Sequence, residues 1–296
     1  MEAEVRPLPK MEYRTPSSLN EALVILKDYQ GKARLLAGGT DLIPKMKKRV
    51  VVADMIIDLN RIPGLGNIEV RKDGLCIGAL ARLSEIQNSP LVQEKALALV
   101  QAIRIMASPP IRNRGTIAGN LSTASPAADT APPLLVLNAS VRLKSSTSER
   151  FVPLADFFLG PAETLKRPDE MLTEVVIPIE EGRSAFLKLG RRKAFTLSIA
   201  SAAAFAKTRR GTVEEVRVAL GAVAPTPIRG GKVEEALKGR EFNEENIAQA
   251  AEWIRNEVKP IDDVRASAEY RRDMSYVLTK RVLTQVGEGG ENASAI

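Results

Sequence analysis

The stretch Leu35-Leu36-Ala37-Gly38-Gly39-Thr40-Asp41, LLAGGTD, decides how this chain is read. Ala33–Ala37 predicts a short buried strand, paired glycines interrupt it, and Thr40-Asp41 caps a helix running to about Lys48. Glycines let a backbone take unusual angles and come close to a ligand. Unpaired N–H groups at a helix start favour an anion such as phosphate. No Gly-Lys-Ser/Thr follows, which excludes a Walker loop, and the third glycine of the Rossmann fingerprint is missing. Alone, the turn reads more readily as an ordinary strand-to-helix connection.

Upstream, Pro16-Ser17-Ser18 opens a helix, with Ser17 or Ser18 as cap and Glu21 placed for a capping box. Leu19, Ala22, Leu23 and Leu26 keep the helical period, and Gln30-Gly31 ends it. Downstream, Val50–Leu59 reads as a strand covered on both faces, so residues 15–59 form an α-β-α-β unit. Strands at Ile68–Val70 and Leu75–Ile77 flank a Lys72-Asp73-Gly74 turn. Helices are predicted at Ser84–Asn88 and Leu91–Ser108, the second broken by Pro109-Pro110. A loop at Ile111–Thr116 leads into small and polar residues as far as Asp129. Then come a helix at Thr130–Asn138, a strand at Val141–Lys144, a polar turn at Ser145–Arg150 and a strand at Met171–Ile177.

Composition shifts at Glu180–Arg183, which places a domain boundary there. Beyond it, strands are predicted at Ala185–Leu189, Ser198–Lys207 and Val213–Ala222, and helices at Lys232–Leu237, Glu244–Val258 and Ala266–Val286. The expected division is residues 1–181, itself two subdomains at 1–59 and 60–181, then 182–288, then a flexible tail at 289–296.

A second chemically loaded stretch is Arg112-Asn113-Arg114-Gly115-Thr116-Ile117-Ala118-Gly119-Asn120. A loop of glycines with hydroxyl, amide and guanidinium side chains can offer backbone N–H groups to diphosphate oxygens. It continues to Asp129, which reads as a helix N-cap or as an acceptor for sugar or ribityl hydroxyls. Two phosphate-type loops suggest one large dinucleotide held between two subdomains.

Composition excludes several chemistries. The chain has no histidine, which removes Ser–His–Asp catalysis and histidine metal ligands. Its one cysteine, Cys76, cannot hold a zinc or an iron–sulfur cluster, and its apolar setting reads as a small buried hydrophobe. Redox chemistry here requires a bound organic cofactor. The net charge of +7 is spread through acidic residues, with short clusters such as Lys45–Arg49, and aromatics make up 4%. That pattern disfavours nucleic acid and suits an acidic protein partner. No apolar run reaches the roughly 18 residues needed to span a bilayer. The N-terminus lacks the apolar core of a secretory signal, so a cytoplasmic protein, mature from Met1, is expected.

LLAGGTDL at Leu35–Leu42 and IRNRGTIAGNLSTASPAAD at Ile111–Asp129 resemble the two flavin-binding motifs of the medium subunit of molybdenum hydroxylases. That family includes carbon monoxide dehydrogenase, nicotinate and quinoline oxidoreductases and part of xanthine dehydrogenase. Ser267–Arg281, SAEYRRDMSYVLTKR, looks like its C-terminal domain. The resemblance implies an α+β fold: a two-subdomain FAD-binding domain of the vanillyl-alcohol oxidase and cresol hydroxylase type, then a small α+β domain. It implies that Ala37, Gly38, Gly39, Thr40 and Asp41, with Thr116, Ile117, Ala118, Gly119 and Asn120, wrap the FAD diphosphate, and that Leu35, Leu36 and Leu42 belong to the same cofactor-binding set. By the same resemblance Asp129 binds flavin-side hydroxyls, Leu172 packs near the ring system, Lys188 approaches the flavin from the second domain, and Phe186 covers the isoalloxazine. Read on residues alone, Leu172 is core and Lys188 a solvated strand residue.

Ala118 departs from the family's usual glycine. The cysteine-rich insertion of the 4-hydroxybenzoyl-CoA reductases is absent, and without histidine the histidyl–flavin bond cannot form, so the FAD is expected to be non-covalent. The implied partners are a large subunit with the molybdopterin cofactor and a small subunit with [2Fe-2S] clusters, in a dimer of heterotrimers. Electrons would leave for NAD or a quinone. The alternatives are a free-standing flavoprotein oxidoreductase and a non-catalytic nucleotide-binding module.

Overall fold

The computed structural model describes residues 7–192 and 196–287; the tail expected at 289–296 lies outside the described residues. Ser18 opens the first helix, Leu19–Asp28, its hydroxyl accepting the Glu21 N–H. The Glu21 carboxylate accepts from the Ser17 N–H at 2.8 Å, a capping box displaced by one residue. Ala22, Leu23 and Leu26 are the buried positions of this helix. It joins a parallel sheet in the spatial order Glu12–Arg14, Met55–Asp58, Ala33–Leu36.

The strand expected over Val50–Leu59 covers only Met55–Asp58. Its neighbours are too short to pair with more, and the preceding residues wrap the end of helix Leu42–Lys47. Val50 and Val51 both donate to the Lys45 carbonyl, and Val50 and Val52 are 70% and 62% exposed.

The second sheet is antiparallel, in the order Ile68–Arg71, Gly74–Gly78, Met171–Ile177, Ser140–Lys144, Glu149–Pro153. Glu149–Pro153 is thus a strand where a polar turn was expected to run to Arg150. The helix expected over Leu91–Ser108 is two, Pro90–Lys95 and Leu97–Ile105, with Ala96 at φ −143°. The break leaves Ala98 without a helical acceptor, and the Ser184 hydroxyl supplies one at 3.2 Å. Pro109 starts a short helix, Pro109–Arg112, rather than a loop. Ile117–Ser122 is also helical, and the next helix is Ala131–Val136.

The third sheet, Arg183–Gly190, Ser198–Arg209, Thr212–Gly221 and Ile228–Arg229, is antiparallel. Its strands alternate faces. Ala202, Ala204, Val218 and Leu220 pack with residues of the helices Gly231–Leu237, Glu244–Ala251 and Ala268–Gly287. Phe186, Ala203, Phe205 and Ala219 join the core built by the second sheet. The helix expected over Glu244–Val258 is divided at Glu252-Trp253 into Glu244–Ala251 and Ile254–Glu257. Among the described residues no helix is long and apolar enough to cross a membrane.

Candidate functional site

Strand Ala33–Leu36 ends at Ala37, and Gly38–Asp41 turn the chain into helix Leu42–Lys47. Gly39 has φ +72°, a left-handed angle that glycine adopts without strain. Gly38 is needed for a different reason: a Cβ there would lie 1.9 Å from the Arg114 carbonyl oxygen. The two motifs therefore cross in backbone contact. Thr123 Oγ1 donates to Asp41 Oδ2 at 3.1 Å, and Asn60 donates to the Ala37 carbonyl at 3.0 Å. Asp41 occupies the cap position but its carboxylate accepts no helix N–H; it pairs with Lys45 at 2.7 Å. The side-chain cap expected from Thr40-Asp41 is thus replaced by a tie to the second motif.

The consecutive N–H groups of Gly38, Gly39, Thr40 and Asp41 donate to no acceptor among the described residues. The second motif is the opposite case. Ile117 N–H donates to Ala81 at 3.2 Å, Ala118 to Ala79 at 3.3 Å, Gly119 to the Thr116 hydroxyl at 3.1 Å and Asn120 to the Thr116 carbonyl at 3.0 Å. The expectation that this loop offers backbone donors to a diphosphate is corrected for Ile117–Asn120, because two of those donors tie to Ala79 and Ala81, just beyond strand Gly74–Gly78, and two close the first turn of helix Ile117–Ser122.

A cavity of about 450 Å³ lies where the two halves of this region meet, with Leu35, Ala37, Ala118, Gly119 and Leu172 in its wall. Leu36 and Leu42 point elsewhere, against the small cluster of Met46, Ala53 and Ile56, and Ile117 is core. Asn120 accepts from Thr130 Oγ1 at 2.5 Å. Sequence reasoning missed Arg34, Leu80, Ser122 and Lys166, which also line the cavity. Lys166 donates to the carbonyls of Arg167 and Glu170 at 3.3 and 3.2 Å, and its burial lowers the ammonium pKa. No motif surrounds it in the sequence.

Asp129 and Lys188 do not line that cavity. They meet each other: Lys188 Nζ donates to Asp129 Oδ2 at 2.6 Å, and the Ser198 hydroxyl donates to Oδ1. Burial pushes the Asp129 carboxyl up, and Lys188 and then Ser198 pull it back. Thr130, not Asp129, occupies the cap of helix Ala131–Val136, so the capping reading is corrected. The reading of Lys188 as a solvated residue also fails, since its side chain is 4% exposed. Phe186 is packed in the core, its N–H donating to Gln101 at 2.8 Å, and is not in the wall of this cavity.

The family described as the FAD binding domain in molybdopterin dehydrogenase matches residues 9–180, and the CO dehydrogenase flavoprotein C-terminal domain matches residues 185–286. The glyceraldehyde dehydrogenase medium chain of Sulfolobus acidocaldarius is 34% identical, covering 94% of this chain and 99% of that one. The carbon monoxide dehydrogenase medium chain of Hydrogenophaga pseudoflava is also 34% identical, covering 93% and 96%. Among solved structures, carbon monoxide dehydrogenase from Hydrogenophaga pseudoflava superposes with a TM-score of 0.91, at 34% identity over 95% of this chain and 98% of that one. Quinoline 2-oxidoreductase from Pseudomonas putida gives 0.91 at 29% identity over 97% and 100%. The resemblance seen in the two motifs therefore extends over sequence and fold alike, and the chain belongs to the molybdopterin dehydrogenase flavoproteins, as an FAD-binding chain of the medium type in an oxidoreductase.

Proposed function

We propose that this chain holds one FAD non-covalently between the two motifs, as the flavin subunit of a molybdenum hydroxylase. It would receive electrons from an iron–sulfur partner subunit and release them to an external acceptor, NAD or a quinone. The observation that carries the site is the row of N–H groups at Gly38–Asp41 that meet no acceptor among the described residues, beside a cavity walled by Leu35, Ala37, Gly119 and Leu172. Backbone donors at a glycine turn suit phosphate oxygens. A cavity of this size and largely apolar lining suits part of a dinucleotide.

Bound FAD supplies a carrier that takes up and gives out electrons singly or in pairs. The chain's own tasks are to bind and to orient. On this reading the first motif takes the diphosphate. The second motif contributes shape and side chains rather than backbone donors, with Thr116 and Asn120 holding its geometry. Leu172 presents an apolar wall, and Asp129 and Lys188 stand at the flavin side. No side-chain base is required, which agrees with a histidine-free chain. The division near residues 181–182 separates the flavin-binding part from the part that brings Lys188. The positive charge would serve docking to a large molybdopterin subunit and a small [2Fe-2S] subunit, in a dimer of heterotrimers in the cytoplasm.

FAD titration of the purified chain, followed by flavin absorbance, tests the site. Wild type is expected to bind stoichiometrically, Gly39→Val to lose binding, and Asp129→Ala to weaken it. A protein that acquires no flavin absorbance would overturn the proposal. For the subunit reading, larger and smaller chains are expected to co-purify; a stable, fully active monomer would sink it.

A further inference from the structure

We propose that Ser198 is a positioning residue for the flavin side of the site, fixing the Asp129 carboxylate at the seam between the flavin-binding region and the third sheet. The inference rests on the FAD reading above. Ser198 is fully buried, and its hydroxyl donates to Oδ1 of Asp129 while Lys188 donates to Oδ2. A carboxylate oxygen accepts along two lone-pair directions. One donor on each oxygen sets the orientation of the Asp129 carboxylate, and on the FAD reading a ligand hydroxyl would meet its remaining lone pairs.

Ser198 is aimed at Asp129 by a local irregularity. Leu189 pairs with Ala200 and Gly190 with Ser198, so Ile199 is an extra residue in the ladder. Such a bulge turns the adjacent side chain away from the regular alternation. The bulge is itself held: the buried Arg271 donates to the Ile199 carbonyl at 2.7 Å and to the Ala222 carbonyl at 2.9 Å. The N–H of that same Ala222 donates to the Pro126 carbonyl at 2.7 Å, three residues before Asp129 in the chain. Arg271, the bulge, Ser198 and the Pro126–Asp129 segment therefore form one connected support. Among the described residues the charged group facing Asp129 is Lys188, which also donates to the Thr196 carbonyl at 2.9 Å.

The Asp129 carboxylate is buried, so removing the Ser198 donor leaves its charge less compensated. The full chain as wild type, Ser198→Ala, Ser198→Thr and Asp129→Asn is titrated with FAD across a pH series, with thermal stability measured alongside. Ser198→Ala is expected to weaken FAD by about tenfold, the scale of one hydrogen bond to a charged group. The acid limb of its affinity profile is expected at higher pH than in wild type, and Ser198→Thr to restore both. If Ser198→Ala lowers stability without moving the acid limb, Ser198 is merely structural and the inference falls. If Ser198→Ala matches wild type while Asp129→Asn loses FAD, the positioning role fails and the site reading stands. If Asp129→Asn binds FAD as wild type does, the site reading of Asp129 fails and takes the inference with it. Should Ser198→Ala not fold, the Ser198→Thr profile decides: a threonine hydroxyl that keeps the wild-type limb supports the role, and a displaced limb with unchanged stability overturns it.

Discussion

Gly38 has no freedom to become alanine, although its own backbone angles do not forbid it. The added carbon would lie 1.9 Å from a main-chain oxygen of Arg114, and neither partner is a flexible side chain. Gly38→Ala is expected to push the motifs apart, costing about 3 kcal/mol as an overpacked contact. A thermal melt and an FAD titration check this, and a variant with wild-type stability would refute the crossing. Cys76 shows the reverse economy of function. It is 1% exposed and its thiol is pushed up to about 11 by burial, as the apolar setting of the sequence implied. At this scale the first motif was legible because glycine spacing constrains backbone directly. In the second, the sequence does not show that the N–H groups of Ile117–Asn120 are already taken up, because hydroxyl and amide residues serve a helix as well as they serve a ligand. Arg34 and Lys166 were invisible, since only the fold brings their segments to one cavity.

Helix Ala268–Gly287 depends on the loop before it. Asp262 accepts its first N–H, from Ala268, at 2.6 Å, and Asp263 pairs with Arg265 at 2.5 Å and with the buried Arg271 at 2.7 Å. Hydrogen bonding from Arg265, and then from Arg271, holds the Asp263 carboxyl far below the ordinary carboxylate range. A depressed carboxylate stabilises the fold above its unfolded pKa and loses that contribution as pH falls. Asp263→Asn is therefore expected to cost about 3 kcal/mol near neutral pH, the scale of a buried cation losing its partner. The difference in Tm from wild type is expected to shrink below about pH 4. A gap unchanged by acid would show that the ion pair contributes nothing. Long periodic elements were legible here, and breaks within them were not. Ala96 interrupts a helix of unbroken apolar spacing because Ser184, distant in the chain, replaces the lost acceptor. Val50–Asp54 looks like strand by composition, but no neighbouring strand reaches it to pair.

Over the whole molecule, the composition shift near Glu180–Arg183 marks the expected domain boundary, and packing continues across it. Phe186, Ala203, Phe205 and Ala219 of the third sheet belong to the same buried cluster as Leu99, Leu134 and Val175. Arg217, 3% exposed, pairs across the junction with Glu180 and lies 4.0 Å over the Phe205 ring. Calorimetry of the apo chain is expected to show one cooperative transition; two resolved peaks would mean that the shared cluster does not couple the halves. The row of donors left open at Gly38–Asp41 has a consequence for the protein's life in a cell. On the FAD reading, a ligand at a thousandfold excess over its Kd adds about 4 kcal/mol to folding. Newly made chains would then be sorted by vitamin supply: those that capture the cofactor persist, and those made when it is scarce are the first to reach the proteases.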